Sequence, residues 1–319
     1  MQKNEVHLLP TWIKYHAEIF GFENIYIFDN GSDIELKDQL KIYSEFGLNV
    51  NLNFTGVNNF ENKGKIFGNL IKSLEAEKKY DFFIPLDCDE FIAVEKSDGL
   101  ISCERDDIFL ELAKHSESKD ILMIGYQLYN DVSKDSKFYK EFSRKCFFYK
   151  ETFLSVDVGF HWAKVKKSSK EIKTNIIQFH FHNRPYFLSK KSALQKMAKR
   201  VDINNNILLR DYDGPGFHLK NFFIMNEEVW KKSIEKENFV DSDVLSKKLS
   251  NLKLIWPFSD FVFFEREIFF FDYKKEAVVS FEKCDDRQHS NGWVDGVHIS
   301  EGSAFFNGWW VSDKNKNTL

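Results

Sequence analysis

Cysteine and proline are scarce in this chain, four and five among 319 residues. The cysteines, Cys88, Cys103, Cys146 and Cys284, form no C-x-x-C pair and are too sparse for a disulfide framework, which excludes a small disulfide-held scaffold and fits a reducing compartment. Long apolar runs are missing as well: none approaches the ~18 residues of a membrane-spanning helix, and no apolar signal segment opens the chain. The expectation is a cytoplasmic protein with no transmembrane segment, free to associate peripherally with the inner face of the cytoplasmic membrane. A surplus of one charge is also lacking. The 45 basic residues nearly cancel 49 acidic ones, leaving −4, without the basic excess that gripping a phosphate backbone requires, so nucleic acid is not an expected partner.

Phenylalanine, by contrast, is plentiful, at 34 residues, within a globular composition of 43% hydrophobic and 29% charged residues that can bury a sizeable core. Between Val6 and Phe20, apolar residues recur at helical spacing and Gly21 follows as a stop, which predicts a first helix. Ile25 to Phe28 reads as a short buried strand ending in the turn Asp29, Asn30, Gly31 and Ser32. Helix over 34–46, strand over 48–54, a helix carrying Ile66, Phe67, Leu70, Ile71 and Leu74, and strand over 82–86 complete an alternation that implies a mostly parallel sheet with helices on its faces. Further on, 108–112 reads as helix, and 121–126, 146–149 and 154–158 as strands. "NIIQFHFHNRP" alternates, with Gln178, His180 and His182 on one face and Ile177, Phe179 and Phe181 on the other. Pro185 then opens a basic helix to about Val201, whose Lys190, Lys191, Lys196, Lys199 and Arg200 read as a solvated face. Near the C-terminus, 261–271 and 277–281 suggest a hairpin, and "NGWVDGV" at Asn291 is echoed by "NGWWVSD" at Asn307.

The segment "YDFFIPLDCDEFIAV" sets three carboxylates, Asp87, Asp89 and Glu90, against apolar residues on both sides. Unpaired charge in such surroundings costs several kcal/mol, so a positive partner is expected. Asp-x-Asp at the carboxyl end of a parallel strand is the position and chemistry of a site for Mg²⁺ or Mn²⁺, which take oxygen ligands and commonly share them with substrate phosphates. A solvated acidic turn or a helix cap is the plainer alternative.

Three blocks, "KNEVHLLPTWIKYHAEIFGFENIYIFDNGSD", "ENKGKIFGNLIKSLEAEKKYDFFIPLDCDEF" and "IIQFHFHNRPYFLSKKS", resemble in order and spacing the glycosyltransferases of the family 2-like and family 92 group, over about Lys3 to Arg200. The resemblance implies a GT-A-like α/β fold, a nucleotide-sugar donor, a bound Mn²⁺ or Mg²⁺ and an inverting transfer. It places Asp29, with Asn30 beside it, at the nucleotide base or ribose, Asn4 and Glu5 near the same pocket, a histidine from His180 and His182 in the metal or diphosphate environment, and His161 at a further matching position. Family members open with an apolar strand ahead of the block that starts at Lys3. Only Met1 and Gln2 stand there, so either that strand lies elsewhere or the start is trimmed or misassigned; the abrupt end of the Trp-rich segment independently raises the expectation of a fragment of a longer protein.

Alongside the resemblance, Asp87 and Asp89 are the metal candidates, joined by His180 and His182. Lys63 and Lys65 open a helix, where they would meet a diphosphate or simply be solvated. Trp162 would stack on a sugar or sit in the core. The base that deprotonates the acceptor hydroxyl is sought at Asp157, in "SVDVGFHW", or at Asp211 and Asp213, in "RDYDGPG". The expected domains are a GT-A-like glycosyltransferase domain over 1–255, a β-hairpin extension over 256–290 and the start of a β-sandwich module over 291–319. The expected function is transfer of a sugar, from a UDP-sugar by preference, to a glycan or lipid-linked acceptor in bacterial surface polysaccharide synthesis. A sugar nucleotidyltransferase, which would release pyrophosphate, and a non-catalytic glycan-binding protein are the rival readings.

Overall fold

The structure, a computed structural model, describes residues 1–258 except 199 and 215, and beyond them the backbone of strands within 269–317. The chain divides into two compact units, Met1–Phe261 and Val262–Leu319. In the second unit, Phe269–Asp272 pairs antiparallel with Ala277–Ser280, the expected hairpin, while 261–268 and 281 lie outside the described residues. Ser290–Ser300 and Ser303–Ser312 form an antiparallel pair with Trp293 in register with Trp309, and Lys316–Asn317 adds a third strand.

The first unit opens with helix α1, Leu9–Phe20, whose buried Leu9, Trp12, Ile13, His16 and Ile19 form one stripe at helical spacing, and which stops at Gly21 with φ of 87°. Strand β1 (Tyr26–Phe28), α2 (Ile34–Glu45), β2 (Asn49–Asn51), α3 (Val57–Glu61) and α4 (Lys63–Glu77) follow. Then come β3 (Phe82–Phe83), β4 (Glu90–Glu95), β5 (Ile101–Ser102), α5 (Arg105–Ala113), β6 (Ile121–Met123), β7 (Gln127–Asn130), β8 (Lys137–Glu141) and β9 (Cys146–Tyr149). The unit continues through β10 (Phe153–Val156), β11 (Ala163–Val165), β12 (Glu171–Lys173), β13 (Ile176–His180) and α6 (Tyr186–Met197). It closes with α7 (Asn206–Asp211), α8 (Asn221–Ile224), α9 (Glu227–Ile234), β14 (Phe239–Asp241) and α10 (Val244–Asn251).

The unit is α/β, as expected, but its strands do not form the expected mostly parallel sheet. The largest sheet runs β14-β8-β7-β13-β4-β5, and in it only β7 and β13 are parallel neighbours. A second sheet, β12-β6-β9-β3, has one parallel pair, and β1 with β2 makes a third, parallel one. The helical alternation ends after α5, and the strands from β6 to β13 are joined by short loops, which suit antiparallel neighbours. A cavity of about 490 Å³, lined by Leu9, Trp12, Ile27, Leu70, Phe83 and Leu86 among others, separates β1 from the 82–86 stretch. That stretch pairs only through Phe82 and Phe83, with β9, so the expected strand through Leu86 is cut short.

Strand β4 has β13 along one edge, while β5 reaches only Val94 and Glu95 on the other. Side chains from α1 cover the remainder of that edge. Trp12 Nε1 donates to the Glu90 carbonyl at 2.7 Å, the Tyr15 hydroxyl donates to the Ile92 carbonyl at 2.6 Å, and His16 Nε2 accepts from the Ile92 N–H at 3.3 Å. Buried backbone groups that lack a strand partner are thus satisfied, and α1 fixes the start of β4, where the acidic turn enters the sheet.

Candidate functional site

Position in the sheet assembles a cluster of ionised side chains around the acidic turn. Asp87 and Asp89 immediately precede β4, and Glu90 is its first residue. His180, the last residue of β13, lies directly opposite Glu90 and beside Tyr129 of β7. The turn therefore sits at the N-terminal end of β4, next to the carboxyl ends of β7 and β13, and not at the carboxyl end of a long parallel strand as expected.

The positive partners required by the sequence are two lysines. Lys63 Nζ, at the start of α4, donates to Asp87 Oδ1 at 2.7 Å, and Lys145 Nζ, just ahead of β9, donates to Asp87 Oδ2 at 2.7 Å. Lys145 also lies 2.8 Å from Glu90 Oε1, and the Asp87 N–H donates to Glu90 Oε2 at 2.9 Å. The Lys63, Lys145 and Glu90 side chains are at most 5% exposed, against 30% for Asp87. Lys63 is brought in by close packing: a Cβ on the adjacent Gly64 would lie 2.5 Å from the Val156 carbonyl oxygen, so only glycine lets α4 approach the end of β10 this closely.

Asp89 has a different set of neighbours. Its Oδ1 is 3.7 Å from His180 Nε2, and its Oδ2 is 3.7 Å from Arg184, which also pairs with Glu5 at 2.9 Å. His180 Nδ1 donates to Gln127 Oε1 at 2.6 Å, a contact that fixes the ring and aims Nε2 at Asp89.

Burial alone would raise the Asp87 carboxyl, but Lys145 and Lys63 outweigh it and hold the group well below the usual carboxylate range. Burial likewise opposes ionisation of Asp89, and His180 and Arg184 help reverse it, so its pKa is lowered. At Glu90 desolvation wins over Lys145 and the pKa is raised. His180 is the converse case: desolvation lowers it, but Asp89 and Glu90 more than compensate and the imidazole pKa rises.

Of the residues singled out from the sequence, Glu5, Lys63, Asp87, Asp89 and His180 come together here. Lys65 is exposed. His182, two residues past the end of β13, borders this cluster: its exposed side chain sets its ring 5.3 Å from that of His180 and stacked on Tyr129 at 4.5 Å. Asp29 is fully buried and accepts from Gln2 Nε2 and from the Gly31 and Ser32 N–H groups, the turn-forming role. Asn30 donates to the Phe54 and Gly56 carbonyls, and Asn4 exchanges hydrogen bonds with Asp33 across the same turn. Asp157 Oδ1 accepts from the His161 and Trp162 N–H groups at 2.6 and 2.8 Å, and Oδ2 from the Gly159 N–H at 3.4 Å, so its carboxylate holds its own loop. His161 Nδ1 bonds the Arg144 carbonyl oxygen, and Trp162, 63% exposed, lies outside the core with Arg144 over its ring at 3.9 Å. Asp211 ends α7 and Asp213 follows it, both exposed. Sequence reasoning missed Lys145, Arg184 and Gln127. Arg184 is legible only as the residue after the alternating strand, and Lys145, 58 positions from Asp87, carries no local signal.

Among the described residues, no group of three or more His, Cys, Asp or Glu side chains is gathered to hold a metal ion. The donor chemistry nevertheless fits a hard divalent cation at one place. Asp89 and His180 offer a carboxylate and an oriented ring nitrogen facing each other, and such ions keep water and phosphate oxygens as their remaining ligands. Asp87 does not fit, because each of its oxygens already accepts from an ammonium group.

A scan against protein-family models, a search of curated proteins and a search of solved structures each returned no match.

Proposed function

We propose that this chain is a GT-A-like glycosyltransferase that moves a sugar from a nucleotide-sugar donor, preferentially a UDP-sugar, to a glycan or lipid-linked acceptor. The observation that carries the reading is the juxtaposition of Asp89 and His180 beside Lys63, Lys145 and Arg184: a cation-ready pair next to fixed positive charge, at the carboxyl ends of two parallel strands. Strand ends of this kind favour ligand binding in α/β proteins, and a diphosphate leaving group needs this chemistry.

Asp89 and His180 would hold Mg²⁺ or Mn²⁺, which when bound neutralises charge growing on the leaving diphosphate. The remaining work falls to the chain itself. Arg184, oriented by Glu5, presents a planar donor fork suited to phosphate oxygens. Lys63 and Lys145 hold the Asp87 carboxylate in place, and with it the turn on which Asp89 stands. Asp211 and Asp213, exposed at the end of α7 and just beyond it, are the acids left to deprotonate an acceptor hydroxyl, since Asp157 spends both oxygens on its loop.

Calorimetric titration of UDP with and without Mn²⁺ tests the proposal. UDP should bind to the parent chain with Mn²⁺ present, and Asp89→Asn and His180→Asn should each remove the metal dependence while leaving the thermal midpoint within a few degrees. Absence of binding by UDP and by other nucleoside diphosphates, with or without metal, would refute it.

A further inference from the structure

We propose that the helices of residues 186–234 form a docking face for an anionic lipid surface. Their inward contacts are already made. Ala193 and Met197 of α6 are fully buried, and the Tyr186 hydroxyl donates to the Phe222 and Met225 carbonyls at 3.1 and 2.6 Å. Its ring packs against Trp230 at 5.7 Å, tying α6, α8 and α9 together. The outward face of α6 then carries Phe187, Lys190, Lys191 and Leu194, at the i, i+3, i+4, i+7 spacing of one helical stripe, all exposed.

The elements that follow along the chain repeat the pattern. Helix α7 exposes Ile207 (74%) and Leu208 (54%) ahead of Arg210, and Phe217 follows, also exposed. Charge separates this segment from the rest of the chain: it holds nine basic and five acidic residues, whereas the remainder holds 36 and 44. Large apolar side chains standing singly among lysines and arginines are what lets a peripheral protein lie in the headgroup region, the apolar groups entering the interface while the basic ones meet anionic lipid. A bilayer fits better than an acidic protein because the apolar residues are spread over separate short helices instead of lining one groove. The basic helix, read from sequence as a solvated face, thereby gains a role, and α6 starts two residues after Arg184 of the ionised cluster.

The test is vesicle flotation of the full chain, without donor or acceptor, so its outcome is separate from that of the glycosyl-transfer reading. Vesicles of phosphatidylcholine mixed with phosphatidylglycerol should carry the protein up the gradient, those of phosphatidylcholine alone should not, and high salt should weaken the binding. The paired changes Lys190→Glu with Lys191→Glu, and Ile207→Ser with Leu208→Ser, should each cut partitioning about tenfold or more with unchanged circular dichroism. Equal partitioning onto neutral and anionic vesicles would overturn the proposal. So would full binding by the Ile207→Ser, Leu208→Ser variant, and if that variant also binds polyglutamate like the parent chain, the face is one for acidic protein.

Discussion

Replacing Lys145 by methionine keeps an unbranched side chain, one atom shorter, and removes one charge. That ammonium lies 2.7 Å from Asp87 and 2.8 Å from Glu90, and it is 3% exposed. Asp87 would keep Lys63 and partial access to water. Glu90, with no exposure, would keep only the Asp87 N–H and a distant His180 nitrogen at 4.0 Å. Breaking a buried pair from one side costs about 3–5 kcal/mol, because the surviving charge is left uncompensated. For a unit of this size that is a fall in thermal midpoint of roughly 6–20 °C. The double variant Lys145→Met, Glu90→Gln should recover most of it, since the stranded charge is gone. The loss should also shrink as pH falls: burial already raises the Glu90 pKa, and once the carboxyl takes a proton nothing remains uncompensated. Thermal and urea unfolding followed by circular dichroism, on the two variants and the parent chain, gives these quantities. A single variant that loses less than about 1 kcal/mol, the scale of an exposed pair, would refute the reasoning, as would a double variant no more stable than the single one.

Asp157→Ala should lower stability by about 1–2 kcal/mol by releasing three loop N–H groups, whereas Asp157→Asn, which keeps an acceptor oxygen, should lose less and turn over at the parent rate; a rate loss in Asp157→Asn with parent stability would restore the residue as catalytic base. His16, buried in α1, has its pKa lowered from 6.5 to about 3, chiefly by desolvation, with the Trp12 carbonyl opposing. Its folded pKa lies below its unfolded one, so its contribution is present above pH 6.5 and is lost as pH falls towards 3. Urea midpoints measured across that range should therefore fall less steeply for His16→Gln than for the parent chain, and parallel curves would exclude His16 as the source.

What could be read in advance follows the range of each interaction. Helix α1 and strand β9 were legible because a stripe at helical spacing and a compact apolar run are local patterns, and Gly21 marks its stop in one residue. The run 82–86 reads equally as a strand, yet a strand needs a neighbour, and its neighbours are decided by β9 and by the cavity facing β1. Sheet direction fails for the same reason: helices between the first strands imply parallel pairing, but β4 finds its partner in β13, some 86 positions on, antiparallel.

The site divides along the same line. Three carboxylates in apolar surroundings require positive charge nearby on energetic grounds alone, and two lysines are there. Which lysines they are could be half inferred. Lys63 stands at the N-terminus of the helix before the acidic turn, and Gly64 lets that helix close in. Lys145 is delivered only by the pairing of β9 with β3 and β6. Its ammonium takes the position on Asp87 that sequence reasoning reserved for a metal ion, and leaves Asp89, facing His180 across 3.7 Å, as the carboxylate on which metal binding would depend.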